Sequence, residues 1–149
     1  MSGASAQFFV FYGSQRMDAV KETAVARGRA GEDVAARYLK KKGYRIVARN
    51  VRIGHLETDI ICENRTHILF VEVKSRTVGE AISRYGRPAT AVNRQKAENL
   101  LACARAYLLR HPTKKQPRLD VIEVYFENSA SDRAVPDGIV HIENAVEAE

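Results

Sequence analysis

Hydrophobic positions repeat with helical spacing in two stretches of the chain and with strand-like spacing between and after them. The first apolar stripe predicts a helix over roughly 30–42 that ends at Gly43. Its members are Val34, Ala35, Tyr38 and Leu39. The second stripe predicts a helix that Asn93 caps and Pro112 ends. Its members are Ala97, Leu100, Leu101, Ala104 and Leu108.

The segments predicted as strands are 44–49, 57–62, 67–74 and 119–126, with a shorter candidate at 139–142. The third strand is a nearly continuous apolar run, which is typical of a strand buried on both faces. The link 63–66 is short and polar, so the second and third strands are predicted to form a hairpin. The order helix, three strands, helix, strand predicts an α/β domain in which helices flank a mixed β-sheet.

The chain has 149 residues, which suits one domain with its own core. We expect that domain at 27–126, preceded by an extension at 1–26 and followed by an acidic segment at 127–149. The extension is open to three interpretations: an extra strand, a mobile arm, or an overlong start with Met17 as the initiator. No apolar run approaches the roughly 20 residues of a membrane span, and no signal peptide is recognisable, so we expect a cytoplasmic protein.

The net charge of +6 is unevenly distributed. Residues 40–52 contain six basic side chains and no acidic one, and 74–96 contain six more against Glu80 alone. This concentration indicates a polyanionic partner, although a solvated surface that happens to be basic is the alternative. The candidate phosphate contacts are Arg76, Arg84, Arg87 and Lys96, with a solvated loop as the alternative for them too.

Two pairs of ionisable residues lie on neighbouring predicted strands. Strand alternation puts Glu57 and Asp59 on one face and likewise pairs Glu72 with Lys74. A tight hairpin sets Asp59 opposite Glu72 and Glu57 opposite Lys74. Because a slip of one residue would move Asp59 among the core valines, burial favours the register that gathers all four side chains.

Such a cluster of carboxylates within an apolar run needs compensating charge. A divalent cation supplies it, and hard oxygen ligands at an open site suit Mg²⁺ or Mn²⁺. A cation that acidifies water beside Lys74 makes phosphodiester hydrolysis chemically accessible. The alternative is a solvent-facing ion pair between Glu72 and Lys74 on an edge strand.

Two sequence motifs favour a nuclease function for this cluster. The run LETDII at 56–61, followed by VEVKSR at 71–76, resembles the PD-(D/E)XK nuclease motif. More closely, the chain is similar to the YraN-like family of uncharacterised bacterial proteins, which is related to restriction endonucleases and Holliday-junction resolvases. Further matches are Gly31-Glu32, Arg49-Asn50, Gly86-x-Pro88, Ala91-Val92 with Lys96, and Arg118-x-Asp120-Val121. The chain departs from the family in having Leu-Glu-Thr-Asp where Gly-Glu-Ile-Asp is typical.

The resemblance implies a restriction endonuclease-like core with a Mg²⁺- or Mn²⁺-dependent active site. Asp59 and Glu72 would bind the cation, with the Val73 carbonyl as a third ligand. Lys74 would position or activate the attacking water. Glu32 would reach the cation from the first helix, directly or through water, and Glu57 would be an accessory carboxylate.

The leading functional prediction is a nuclease that acts on DNA in preference to RNA, with branched or damaged DNA among its candidate substrates. The alternative is a non-catalytic nucleic-acid-binding module on the same fold. A third hypothesis is a protein–protein adaptor whose basic charge is incidental. The intact set of Asp59, Glu72 and Lys74 favours the first. A homodimer is expected by analogy with resolvases that cut two strands.

Overall fold

The apolar stripes and strand-like segments of the sequence correspond to two helices and six strands in a computed structural model that describes residues 7–11, 24–77, 93–127 and 136–146. The helices are α1 (Ala24–Lys41) and α2 (Arg94–Arg110). The strands are β1 (Gln7–Phe11), β2 (Arg45–Ile53), β3 (Leu56–Glu63), β4 (His67–Thr77), β5 (Gln116–Phe126) and β6 (Pro136–Ile142).

The six strands form one mixed sheet in the order β1-β6-β5-β4-β3-β2. Strands β2, β3 and β4 make an antiparallel meander, whereas β5 runs parallel to β4. A parallel neighbour requires a crossover connection, and α2 lies within that connection. The predicted α/β class, with a mixed sheet flanked by helices, is confirmed, and the architecture is consistent with a restriction endonuclease-like core.

The core has two layers because alternate residues of each strand point to opposite faces of the sheet. On one face, α1 packs on a cluster that includes Ile60, Leu69 and Val71. On the other face, α2 packs on a cluster that includes Ile61 and Phe70. Strand β4 is therefore buried on both faces along 68–71, as its continuous apolar run predicted.

Helix α1 ends where the sequence predicted and begins earlier. Gly43 adopts a positive φ of 96°, its N–H donates to the Lys40 carbonyl, and the Tyr44 N–H donates to the Leu39 carbonyl, each at 3.0 Å. This pattern closes a helix with a left-handed glycine. The start lies at Ala24, so the predicted boundary between residues 26 and 27 falls inside the helix. The apolar stripe that marks the helix begins only at Val34, so periodicity did not reveal the first turns.

Helix α2 begins at the predicted cap. The Asn93 side chain accepts a hydrogen bond from the Lys96 N–H at 2.8 Å, and the helix ends at Arg110, shortly before Pro112. Strand β4 continues to Thr77, three residues beyond its predicted end at residue 74. Pairing with β5 as far as Phe126 extends the strand beyond its apolar run.

Two strands lie outside the predicted central domain. Residues Gln7–Phe11 form β1, which pairs antiparallel with β6, so the extra-strand interpretation describes this part of the extension. Met17 lies outside the described residues. Strand β6 spans Pro136–Ile142 instead of 139–142, because pairing with β5 carries it through Gly138 to Pro136. The division into three segments stays a prediction.

A buried polar network connects α1 with β5 and β6. The imidazole of His141 is within 2.8 Å of Asp120 Oδ2 and within 3.0 Å of the Tyr38 hydroxyl. Arg118 donates twice to the Asp120 carboxylate at 2.9 Å, and the Asn144 N–H donates to it at 3.0 Å. Asp120 and His141 are fully buried, and Asp120 forms an ion pair with Arg118.

Candidate active site

The β3–β4 ladder brings the two predicted cation ligands to adjacent strands. Paired residues run from Glu63 with Ile68 to Ile60 with Val71, which is the register that a tight hairpin predicted. Continued by one residue, this register sets Asp59 opposite Glu72. Strand β4 lies inside the sheet between β3 and β5, so the alternative that placed Glu72 on an edge strand is wrong.

Asp59 is fixed by the backbone of the neighbouring strand. Its Oδ2 accepts a hydrogen bond from the Val73 N–H at 2.8 Å. Burial and the nearby Glu72 carboxylate raise the pKa of Asp59 from 3.8 to about 7, against the lowering effect of the Val73 hydrogen bond. Glu32 and Glu57 raise this pKa further. Three carboxylates therefore raise the pKa of Asp59, and two of them, Glu57 and Glu72, belong to the cluster that the sequence predicted.

The Glu72 carboxylate is contacted by a lysine of α2. Its side chain is 16% exposed, and Oε1 lies 3.4 Å from Lys96 Nζ. Lys96 belongs to the first turn of α2, which the Asn93 cap anchors. The sequence proposed Lys96 as a phosphate contact and Lys74 as the neighbour of Glu72; the structure brings both lysines to the same carboxylate.

Lys74 lies in a crowded positive environment. Burial, followed by the charges of Lys96 and Arg76, lowers its pKa below 10.5, while Glu72 and Glu123 act in the opposite direction. A lysine with a lowered pKa gives up its proton more readily than an exposed one. Lys74 can therefore donate a hydrogen bond to an anion at this site.

The accessory carboxylates lie on the other side of Asp59. Glu32 and Glu57 line one cavity of about 330 Å³ together with Asp59. Glu32 lies 3.6 Å from Arg49 Nη2, and the exposed Glu57 lies 3.6 Å from Arg52 Nε. Both accessory groups thus have an arginine partner on β2. The family resemblance pointed to Arg49 through the Arg49-Asn50 motif, whereas no signal in the sequence pointed to Arg52.

Gly31 sets how closely α1 approaches the site. A Cβ added at this glycine would lie 2.1 Å from Ser75 Oγ, so only a hydrogen side chain fits between the helix and β4. This close contact between α1 and β4 determines where Glu32, the next residue of the helix, lies relative to β4. Sequence reasoning included Gly31 only as part of the family motif, because the contact joins residues 44 positions apart.

The oxygen donors at this place suit a hard divalent cation. Among the described residues, no three His, Cys, Asp or Glu side chains converge as a ready-made metal site. Mg²⁺ is commonly bound by only one or two carboxylates, with water and substrate phosphate completing its shell. Asp59 and Glu72 provide two carboxylates whose mutual repulsion raises the pKa of Asp59, and added positive charge would relieve that repulsion.

The predicted phosphate contacts are only partly described. Arg76 follows Lys74 on β4, and its Nε is buried without a hydrogen-bond partner among the described residues. Arg84 and Arg87 lie outside the described residues.

No helix within the described segments has the length and apolar character that a membrane crossing requires.

Comparisons with known proteins agree on one family. The model of the uncharacterised protein family UPF0102 matches residues 31–124. A UPF0102 protein of Caldanaerobacter subterraneus subsp. tengcongensis is 37% identical over 119 residues, which cover 79% of this chain and 92% of that protein. A relative from Persephonella marina is 37% identical, with 80% and 91% covered. One from Symbiobacterium thermophilum is 44% identical, with 65% and 80% covered.

Proposed function

This chain belongs to the uncharacterised protein family UPF0102, the YraN-like family that its motifs indicated, and on that premise we propose that it is a metal-dependent nuclease that hydrolyses phosphodiester bonds in DNA. The observation that carries the proposal is the juxtaposition of Asp59 and Glu72 at the end of the β3–β4 ladder. Lys74 lies two residues further along β4. Two carboxylates and a lysine are the minimum set for cation-assisted attack of water on a phosphate.

Asp59 and Glu72 would hold Mg²⁺ or Mn²⁺, with the Val73 carbonyl as an additional oxygen donor. When bound, such a cation supplies charge neutralisation at the phosphoryl oxygens and acidifies water. The Val73 N–H keeps the Asp59 carboxylate oriented by its 2.8 Å hydrogen bond. This contact leaves the second carboxylate oxygen of Asp59 available to a cation.

The basic side chains would handle the substrate and the proton. Lys74 donates to a non-bridging phosphate oxygen or to the attacking water, and its lowered pKa eases proton exchange. Lys96 neutralises Glu72 in the metal-free protein and would turn to the phosphate when a cation takes its place. Both roles follow from lysine chemistry, since an ammonium group donates hydrogen bonds and never ligates a cation.

A specific observation favours the second candidate, a non-catalytic nucleic-acid-binding module. Lys96 already lies against Glu72, so this carboxylate has a charge partner without any metal. On this view the carboxylates stabilise the fold, and the basic residues alone contact nucleic acid. The two candidates differ in whether Mg²⁺ binds and whether DNA is cut.

The test is a panel of single-stranded, duplex and branched DNA incubated with Mg²⁺ or Mn²⁺. Asp59→Asn should abolish cleavage while DNA affinity stays equal or rises, because one cation ligand and one phosphate-repelling charge are lost. Lys74→Ala should also abolish cleavage. Glu98→Gln is the matched control, since it removes one exposed carboxylate on α2 and should cleave like the wild type.

Thermal unfolding separates binding of the cation from chemistry. Excess Mg²⁺ should raise the Tm of the wild type and of Lys74→Ala by mass action, and should leave Asp59→Asn nearly unchanged. If the wild type cleaves none of the substrates and neither Mg²⁺ nor Mn²⁺ raises its Tm, the nuclease proposal is wrong and the non-catalytic binding module replaces it. Equal cleavage by Asp59→Asn and wild type would refute the site.

A further inference from the structure

A second concentration of charge lies at the opposite end of the sheet from Asp59 and Glu72. There the end of α1, the start of β2, the β3–β4 turn and the loop before β5 come together, and we call their basic side chains the distal basic surface. Its members are Lys40, Lys41, Lys42, Arg45, Arg65, Lys114 and Lys115. The Gln116 N–H donates to the Thr66 carbonyl at 2.9 Å, which joins the last two segments.

The segments that form the distal basic surface are strongly positive. Across 40–45, 63–66 and 113–116 the one acidic residue is Glu63, which pairs with Arg45 and with Lys115. Subtracting these seven basic residues and Glu63 from the 24 basic and 18 acidic residues of the chain leaves 17 of each. These three segments therefore carry a net charge as large as that of the whole chain.

Local structure explains only part of this concentration. The negative end of the α1 dipole favours Lys40 and Lys41 in its last turn. Arg65, by contrast, lies in the hairpin turn, and Lys114 and Lys115 lead into β5. Like charges from separate elements repel when they are brought together. Three of these residues, Arg45, Arg65 and Lys115, line an open cavity of about 460 Å³. An anionic partner would relieve the repulsion.

We propose that the distal basic surface binds the phosphate backbone of duplex DNA as a second contact beside the candidate active site. This inference rests on the proposed function in one respect, namely that the partner is nucleic acid. Glu63 lies four positions from Asp59 along β3, and His67 lies five positions from Glu72 along β4. At about 3.3 Å per residue the two contacts lie about 13 to 17 Å apart.

This spacing specifies the substrate class. One strand of B-DNA advances about 3.4 Å per nucleotide, so a gap of this size corresponds to about four or five base pairs. A substrate that engages both contacts is a duplex continuing several base pairs beyond the scissile phosphate. A lone nucleotide or a short single-stranded end engages only the carboxylate site.

The test uses Arg65→Ala/Lys114→Ala. Arg65 and Lys114 are exposed, and the hairpin turn is held by Asn64 Oδ1, which accepts from the Thr66 and His67 N–H groups, so the double variant should fold. The matched control is Arg37→Ala/Arg105→Ala, which removes the same charge from the exposed sides of two helices. A charge-preserving Arg65→Lys/Lys114→Arg variant completes the set.

Affinity for a duplex is measured against salt concentration with a chelator present, so that cleavage does not interfere. The logarithmic salt slope should decrease in magnitude by about 0.9 per lost phosphate contact, hence by about 1.8 in Arg65→Ala/Lys114→Ala. The control variant and the charge-preserving variant should keep the wild-type slope. A decrease shared equally by the control would point to net charge alone and overturn the surface assignment.

The outcomes distinguish this inference from the nuclease proposal. An unchanged slope in Arg65→Ala/Lys114→Ala, with cleavage by the wild type intact, overturns the distal surface and leaves the nuclease standing. A reduced slope without any cleavage supports the surface and refutes the nuclease. Absence of duplex binding by the wild type overturns the surface proposal outright.

Discussion

At the scale of single residues, the candidate site depends on contacts that no local pattern contains. Asp59 is oriented by an amide 14 positions away, and Gly31 of α1 packs against a hydroxyl of β4. The sequence singled out Asp59 and Glu72 as candidate ligands, because carboxylates in an apolar strand are costly unless something compensates them. It did not identify the Val73 N–H or the Lys96 ion pair, because hydrogen bonds and ion pairs depend on packing between elements.

Gly31→Ala gives a prediction at this scale. The added methyl group would meet Ser75 Oγ at 2.1 Å, so the protein should lose about 1–3 kcal/mol of stability, and DNA cleavage should fall as Glu32 shifts. Gly28→Ala, in the same helix, is the control. A Cβ at Gly28 meets nothing within 4 Å, so alanine should stabilise the helix by about 0.5–1 kcal/mol. Chemical denaturation of both variants checks the two signs; equal effects would contradict the packing argument.

At the scale of elements, the Asp120 network holds α1 against the paired strands β5 and β6. Burial alone would raise the pKa of Asp120, but hydrogen bonds from His141, Arg118 and the Asn144 N–H hold it below 3.8. A carboxyl whose pKa is depressed in the folded state stabilises the fold above its unfolded pKa. This contribution disappears as the pH falls through the folded pKa.

Asp120→Asn should therefore destabilise the protein at neutral pH by about 3–5 kcal/mol, because Arg118 and His141 lose their charged partner in a buried position. The difference from the wild type should shrink as the pH falls below about 4. Glu98→Gln breaks an exposed helix pair with Arg94 and should cost only about 0.3–0.5 kcal/mol. Urea unfolding at several pH values measures both; a pH-independent loss would show that Asp120 acts only by shape.

At the scale of the whole molecule, the sequence predicted the order of elements and the class of sheet, because apolar periodicity depends on which side chains are buried. It also predicted the β3–β4 register, since burial allows only one alignment of the two strands. It did not predict the first turns of α1 or the full length of β6. The boundary of β6 depends on a partner distant in sequence, through the pairing of Tyr125 with Gly138.

The charge distribution of the molecule, like its fold, can be predicted only in part from the sequence. Composition gives a net charge of +6, but only folding brings basic residues of separate segments to one end of the sheet. Arg45 and Lys115, which are 70 positions apart, both contact Glu63 there because β4 and β5 are parallel neighbours. No single stretch of the sequence reveals a basic surface assembled in this way, although each basic segment can be recognised on its own.

The hydrogen bond from Val73 to Asp59 gives the protein an internal spectroscopic reporter. The amide proton of Val73 touches the very carboxylate that is expected to bind the cation, so its nuclear magnetic resonance frequency should follow the charge of that group. In ¹⁵N-labelled protein without divalent ions, the Val73 cross-peak should titrate with a midpoint near the Asp59 pKa of about 7. The cross-peak should move to higher frequency as Asp59 ionises, because a charged acceptor forms the stronger hydrogen bond. The titration should vanish in Asp59→Asn, and saturating Mg²⁺ should move the midpoint to lower pH, so one amide signal would report the ionisation of the site with no substrate present.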